Sequence, residues 1–274
     1  MPRFRVFDEN AVWEMESPGM VGDDGYLTGG VYMEYTQWNA PACTITGSLR
    51  GPASTLILGA PSADYMRGVI GGWDITRIPL LSGAKRRIFK DNSANYLLAN
   101  HAAAGGPNDV AIEETLAPGE TGPALFDQRI FIFDFPEVPG GAFSITLSGG
   151  SPITLSKLWI GVPTELLPCS KYEVNTIMDG AGAWTDLGVA YGHKRTGRRE
   201  IACSWELHED GERRRIERYI ERAQNVQAHF VEPCDKHEYI PPLFAVLESK
   251  GFEGEIKAPG WFWGGQTLKY REAK

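Results

Sequence analysis

The sequence predicts a mainly β protein: a jelly-roll-like antiparallel β-sandwich followed by a smaller β domain with one amphipathic helix. Three observations carry this. Short runs of β-branched and aromatic residues recur between glycines and prolines, which number 32 and 18 in 274 residues. Several of those runs alternate with period two. One stretch after residue 210 instead repeats its apolar residues at helical spacing.

The opening "MPRFRVFDENAVWEM" carries charges where a secretion signal needs an apolar run. No stretch approaches the ~20 apolar residues of a membrane helix. A soluble protein made in the cytosol is therefore expected, with no membrane insertion. Residues 1–165 read as the sandwich. "STLILGA", "GWDITRIPLL", "RRIFKD" and "NYLLANH" are short strands punctuated by Gly, Pro, Ser and Asn. Residues 105–127 form a loop-rich excursion.

"RIFIFDFPEV" (129–138) is the clearest strand: Phe131, Phe133 and Phe135 share one face, Ile130, Ile132 and Asp134 the other. "AFSITLSG" and "ITLSKLWIG" follow as two alternating runs around Gly149–Pro152, either a hairpin or a tight sandwich connection. The proline-flanked "VPTELLPCSKY" (162–172) marks a domain boundary.

The second domain, 166–274, starts from "RREIACSWELHED" (198–210). Ile201, Cys203, Trp205 and Leu207 share a face, so the strand is long and half-buried. Ile216, Tyr219, Ile220, Ala223 and Val226 then form one apolar stripe, which predicts a helix over about 211–227 with Asp210 as N-cap. "AHFVEP" returns to strand. The order predicts a small sheet or split barrel with one helix laid across it.

Composition excludes several functions. The net charge of −8 argues against a direct grip on nucleic acid, although an acidic wall lets a polyanion slide past. No phosphate-binding, dinucleotide, nucleophile-elbow or zinc-protease motif is present. No cofactor is expected. "LHED" reads as a solvated strand end beside a helix start, and the pairs at Glu113–Glu114 and Glu206, Glu209 and Asp210 read as surface charge. The four cysteines, Cys43, Cys169, Cys203 and Cys234, are widely spaced and read as free thiols. Cys234 and His237 make one C-x-x-H; with Cys203 they are weak metal candidates, half a signature at best.

Two features point to contact with other subunits. Arg213, Arg214 and Arg215 follow the helix start, and "HKRTGRRE" (193–200) is a second basic cluster. They read either as a solvated face or as partners for acids on another copy. In "GWFWGG" (260–265), Trp261 and Trp263 share one strand face while Phe262 points opposite. A strand covered on both sides, by a second domain or subunit, fits that pattern better than a glycan platform, though glycan contact by Trp261 and Trp263 stays open.

"FDQRIFIFDF", "AFSITLSGG" and "ITLSKLWIGVPTEL" resemble the last strands of the jelly-roll module in tail-tip proteins of long-tailed bacteriophages. "DLGVAYGHKRTGRREIACSWELHEDGERRRIERYIERAQNVQAHFVEP" is similar to the strand–helix–strand unit of the belt or tube-like domain of distal tail proteins. The resemblance covers about residues 125–270. In the usual distal tail protein the ring-forming domain precedes the sandwich. Here the order is reversed, or the sandwich is inserted after an N-terminal strand of the belt.

The resemblance implies a baseplate component and no enzyme. Copies would form a ring, with six as the candidate number, around the tail channel. That ring would join tail tube, tape-measure and tail hub proteins, and the virion tail would be put together in the host cytoplasm. Host glycans are a further implied partner. The alternative is a stand-alone carbohydrate- or receptor-binding sandwich, with a glycan lyase or hydrolase as the remaining rival.

Overall fold

The structure, a computed structural model, describes residues 4–21, 28, 36–59, 61–80, 87–91, 96–99, 130–177, 180–184, 190–194, 198–205, 209–223, 228–233, 242–249, 251, 255–257 and 262–273. From the N-terminus the strands are β1 (Phe4–Phe7), β2 (Val12–Glu16), β3 (Met20–Val21), β4 (Thr36–Trp38), β5 (Ala42–Leu49), β6 (Ala53–Gly59), β7 (Tyr65–Ile70) and β8 (Trp73–Pro79). Next come β9 (Arg87–Asp91), β10 (Tyr96–Ala99), β11 (Ile130–Val138), β12 (Gly141–Ser148), β13 (Ile153–Leu155), β14 (Lys157–Gly161), β15 (Thr164–Leu166) and β16 (Lys171–Ile177). The last are β17 (Gly180–Trp184), β18 (Ala190–Lys194), β19 (Arg198–Trp205), β20 (His229–Glu232), β21 (Leu243–Leu247), β22 (Glu255–Lys257), β23 (Phe262–Gly264) and β24 (Gln266–Glu272). Helix α1 (Asp210–Ala223) lies between β19 and β20.

The protein is mainly β, as expected, with sheets that are antiparallel but for the parallel pair β9 and β11, and none closed into a barrel among the described residues. An outer five-stranded sheet runs β2-β5-β12-β7-β8 and a middle one β10-β9-β11-β6-β14. Between them lies a hydrocarbon core that includes Ile45, Leu56, Leu58, Phe131, Phe133, Ile145 and Leu158. The Gly71–Gly72 turn joining β7 to β8 needs positive φ at both residues, +55° and +85°, which only glycine adopts freely.

The middle sheet is buried on both faces. Phe131, Phe133 and Phe135 enter the sandwich core, as the alternation predicts. Ile57, Ile130, Ile132 and Trp159 point the other way and meet Phe7, Phe230 and Phe244. Those three belong to a seven-stranded sheet, β15-β1-β20-β21-β24-β19-β16, whose far face carries α1. Four layers result: outer sheet, middle sheet, seven-stranded sheet and helix. Double-sided burial accounts for the unbroken burial of "LILG" in β6 and of "KLWIG" in β14, where no residue alternates to solvent.

Three expectations need correction. The helix-bearing sheet is not small and not a split barrel: it is open and the widest in the molecule's described residues. Strands β1 and β15 join it, with Phe4 opposite Leu166 and Val6 opposite Thr164. The chain thus leaves this sheet at β1, builds the sandwich and returns beside its point of departure. The run "ITLSKLWIG" is not one strand: it breaks at Ser156, so β13 pairs with β4 and β14 with β6. That makes the Gly149–Pro152 link a crossing between sheets and not a hairpin. Lastly, Asp210 is the first helical residue and not the cap. The Glu209 carbonyl accepts the N–H groups of Glu212 and Arg213, at 3.1 and 3.0 Å.

Helix α1 buries Ile216, Tyr219, Ile220 and Ala223 against the sheet, along the predicted stripe. Its start is tied down by Glu212, which accepts the Leu167 N–H at 2.7 Å, while Trp205 Nε1 donates to the Leu167 carbonyl at 2.8 Å.

Candidate functional site: the seam and the open sheet

Strand β1 holds the seam between middle and seven-stranded sheets. Alternation turns Phe4 and Val6 toward α1, and Arg5 and Phe7 toward the sandwich. Arg5, 1% exposed, donates from Nε to Glu232 at 2.6 Å and from Nη1 to Asp134 at 2.7 Å. Thr55 Oγ1 donates to the same Asp134 oxygen at 2.9 Å. Burial opposes the charge on Arg5, but Glu232 and Asp134 more than offset this and hold its pKa above the ordinary range. One guanidinium therefore ties β1, β20 and β11 together.

Above the seam, a second polar group sits under the helix. Tyr219 from α1 and His229 from β20 share a hydrogen bond of 2.6 Å between hydroxyl and Nε2. Burial pushes the Tyr219 and Tyr270 hydroxyls well above their usual pKa, so both stay neutral. Arg199 and Glu272 form a buried pair at 2.7 Å at the end of the same face.

Beside Phe7 the seam opens into a cavity of about 270 Å³. Its apolar side is Phe7, Trp159, Phe230 and Phe244; Lys157, His229 and Arg222 are among its polar lining. Arg222 reaches Asp8 at 2.8 Å and Glu9 at 3.4 Å.

Among the described residues, the seven-stranded sheet is open at both ends. Strand β15 is one edge and β16 the other. Exposed aliphatic side chains flank them: Val162 and Leu167 beside β15, Val174 on β16. Strands β16 and β19 form a hairpin from Lys171↔Ser204 to Ile177↔Arg198, and β17 and β18 prolong it from Gly180↔Lys194 to Trp184↔Ala190. Among the described residues, β17 and β18 pair only with each other. A second ribbon, β22–β23, places Trp263 opposite Ile256.

The residues singled out from sequence fall as follows. Arg213 bridges Asp210, at 2.8 Å, and Glu217; Arg214 reaches Asp210 at 2.9 Å; Arg215 reaches Glu212 at 3.5 Å. These acids lie three or four residues away on the same helix, the spacing that brings side chains together. In the second basic cluster, Arg199 likewise meets an acid of its own chain. Trp261 lies outside the described residues, and only the backbone of Trp263 is described. Cys234, His237, His208, Glu206, Glu113 and Glu114 also lie outside them. Cys203 is fully buried and hydrogen-bonded to Cys169. Among the described residues, no three His, Cys, Asp or Glu side chains gather as a metal site needs.

Arg5, Lys157, Trp159 and His229 escaped the sequence reading. A faint signal was there: Arg5 in "FRVF" and Lys157 in "SKLWIG" are cations inside apolar strands, where charge is retained only with partners. No family model, no curated protein and no solved structure matches this chain.

Proposed function

We propose that this chain is a structural component of a bacteriophage tail tip, of distal-tail type. Copies assemble head to tail into a ring around the tail channel and link tail tube, tape-measure and hub proteins. The observation that carries this reading is the two-stranded ribbon β17–β18, which prolongs the β16–β19 hairpin at a sheet edge that is open among the described residues. An isolated two-stranded ribbon is at best marginally stable in water, and an open edge offers unpaired backbone groups. Both are satisfied when a neighbouring copy lies alongside.

Other features agree. The two edges of one sheet differ in sequence and each carries exposed aliphatics, so contact between β16 of one copy and β15 of the next is heterologous, the kind that closes rings. The resemblance of residues 125–270 to tail-tip proteins points the same way. On this reading the chain carries out no catalysis, and its net charge of −8 keeps the lumen repellent to DNA phosphates.

The test is native mass spectrometry with electron microscopy of the purified protein, alone and with tail-tube protein. A closed ring is expected. Val174→Lys should reduce it to monomers while circular dichroism stays native. A protein that remains monomeric in both mixtures ends this reading and favours the stand-alone glycan binder.

A further inference from the structure

We infer that Cys169 and Cys203 form a dithiol redox site, which closes into a reversible disulfide on meeting a low-molecular-weight disulfide such as oxidised glutathione. Nothing in this inference depends on ring assembly.

The geometry comes first. Cys169 lies in the link between β15 and β16, and Cys203 lies within β19, opposite Tyr172. Hydrogen bonds on both sides of Cys169 hold that link against the sheet. Two residues before it, Leu167 donates its N–H to Glu212 at 2.7 Å, and its carbonyl accepts from Trp205 at 2.8 Å. One residue after it, Ser170 donates from its N–H and from Oγ to the Ser204 carbonyl, at 2.8 and 3.0 Å. Ser204 and Trp205 directly follow Cys203 on β19. Cys169 is therefore pinned beside Cys203. It packs on the same core beneath α1, and the two thiols share a hydrogen bond. Sulfurs already in contact need little backbone movement to bond. Cys43, by contrast, sits among the hydrocarbon of the sandwich core.

The two thiols also differ in the way a redox pair requires. Cys169 is partly exposed, and its hydrogen bond with Cys203 lowers its pKa, which raises its thiolate share at neutral pH. Cys203 is 0% exposed, and burial with the Cys169 contact keeps it protonated. One sulfur can meet a reagent from solvent, and the other is sheltered behind it.

The exchange runs in two steps. The Cys169 thiolate attacks one sulfur of oxidised glutathione, forms a mixed disulfide and releases one glutathione thiolate. The Cys203 sulfur then gives up its proton, attacks Cys169 and displaces the second glutathione. Two protein thiols are oxidised, one glutathione disulfide is reduced, and the two thiol protons end on the two glutathiones. Burial slows the second step, whereas the fixed contact between the sulfurs favours it. The new bond encloses residues 170–202 and fastens the start of β16 to β19.

Peptide mass mapping of the reduced, folded full chain after treatment with oxidised glutathione at neutral pH tests this. A peptide pair joined through Cys169 and Cys203 should appear, lighter by two hydrogens, and dithiothreitol should reverse it. Cys169 should react about tenfold or more faster than Cys43. In Cys203→Ala the reaction should stop with glutathione held on Cys169. If that variant does not fold, Cys169→Ser, changed at a partly exposed position, takes its place, and Cys203 should then stay reduced. The inference is overturned if the wild type keeps glutathione on Cys169 at completion, if the joined peptides form only in denaturant, or if Cys203 takes up glutathione in Cys169→Ser.

Discussion

The sandwich core and the core beneath α1 are filled differently. Between outer and middle sheets the buried residues are almost wholly hydrocarbon, from Leu56 and Phe133 to Ile145 and Leu158. Beneath the helix, Tyr219, His229, Tyr270, Cys203, Glu212 and the Arg199–Glu272 pair share the interior with Val231, Leu243 and Leu268. Hydrocarbon packing is non-directional and tolerates small slips. Hydrogen-bonded and ionic groups do not, because a slip leaves them buried and unpaired. The sandwich is built for stability, and the helix-bearing sheet for a fixed register of helix, strands and edges.

Substitutions can break or sharpen this contrast. The largest effect is expected at the seam. Arg5→Met strands Glu232 and Asp134 without their shared cation and should cost about 3–5 kcal/mol in denaturant unfolding. A cost below about 1 kcal/mol would mean that the clamp contributes little. In the sandwich, Leu58→Ala should cost about 2–4 kcal/mol through lost burial and a residual cavity. Beneath the helix, Tyr219→Phe keeps the ring and removes the hydroxyl bond to His229, for about 1–2 kcal/mol. Thr44→Val in the sandwich breaks only the part-buried Thr44–Thr146 contact of 3.1 Å and should cost about 0.5 kcal/mol. If the two hydroxyl deletions prove equal, the polar core is not special.

Two smaller, pH-linked effects follow. The hydrogen bond from Arg213 holds the Asp210 carboxyl below its ordinary pKa. Its contribution to stability is thus present above the unfolded value of about 3.9 and is lost as pH falls through the lower folded value. Asp210→Asn should flatten the acid limb of the stability curve, slightly lowering stability at neutral pH and leaving it unchanged at low pH where the carboxyl is protonated in both states. The thiols divide in the same spirit. Hydrogen bonding to Cys203 lowers the Cys169 pKa, whereas burial lifts Cys43 to about 11. Of the three described cysteines, iodoacetamide at neutral pH should label Cys169 first and leave Cys43 and Cys203 until unfolding, as peptide mass mapping would record.

What the sequence disclosed follows from the range of the physics involved. The faces of "RIFIFDF", the stripe of α1 and the strand "REIACSW" depend on spacings of two to four residues and were legible. The pairing of Phe4 with Leu166 spans the whole sandwich, and nothing local announces it. Arg5 finds its acids 129 and 227 residues away. The break at Ser156 hid because a single residue separates β13 from β14 although they serve different sheets. Around "RRR" the range is short as well: acids three and four residues away on the same helix meet Arg213, Arg214 and Arg215.

Strands β1 and β15 run side by side, so the two tethers of the sandwich depart from neighbouring rungs, about 5 Å apart. Swapping that whole module for another requires only two adjacent splice points and a replacement surface that fits Phe7, Phe230 and Phe244. Recombination can therefore exchange the sandwich while the seven-stranded ladder is inherited intact.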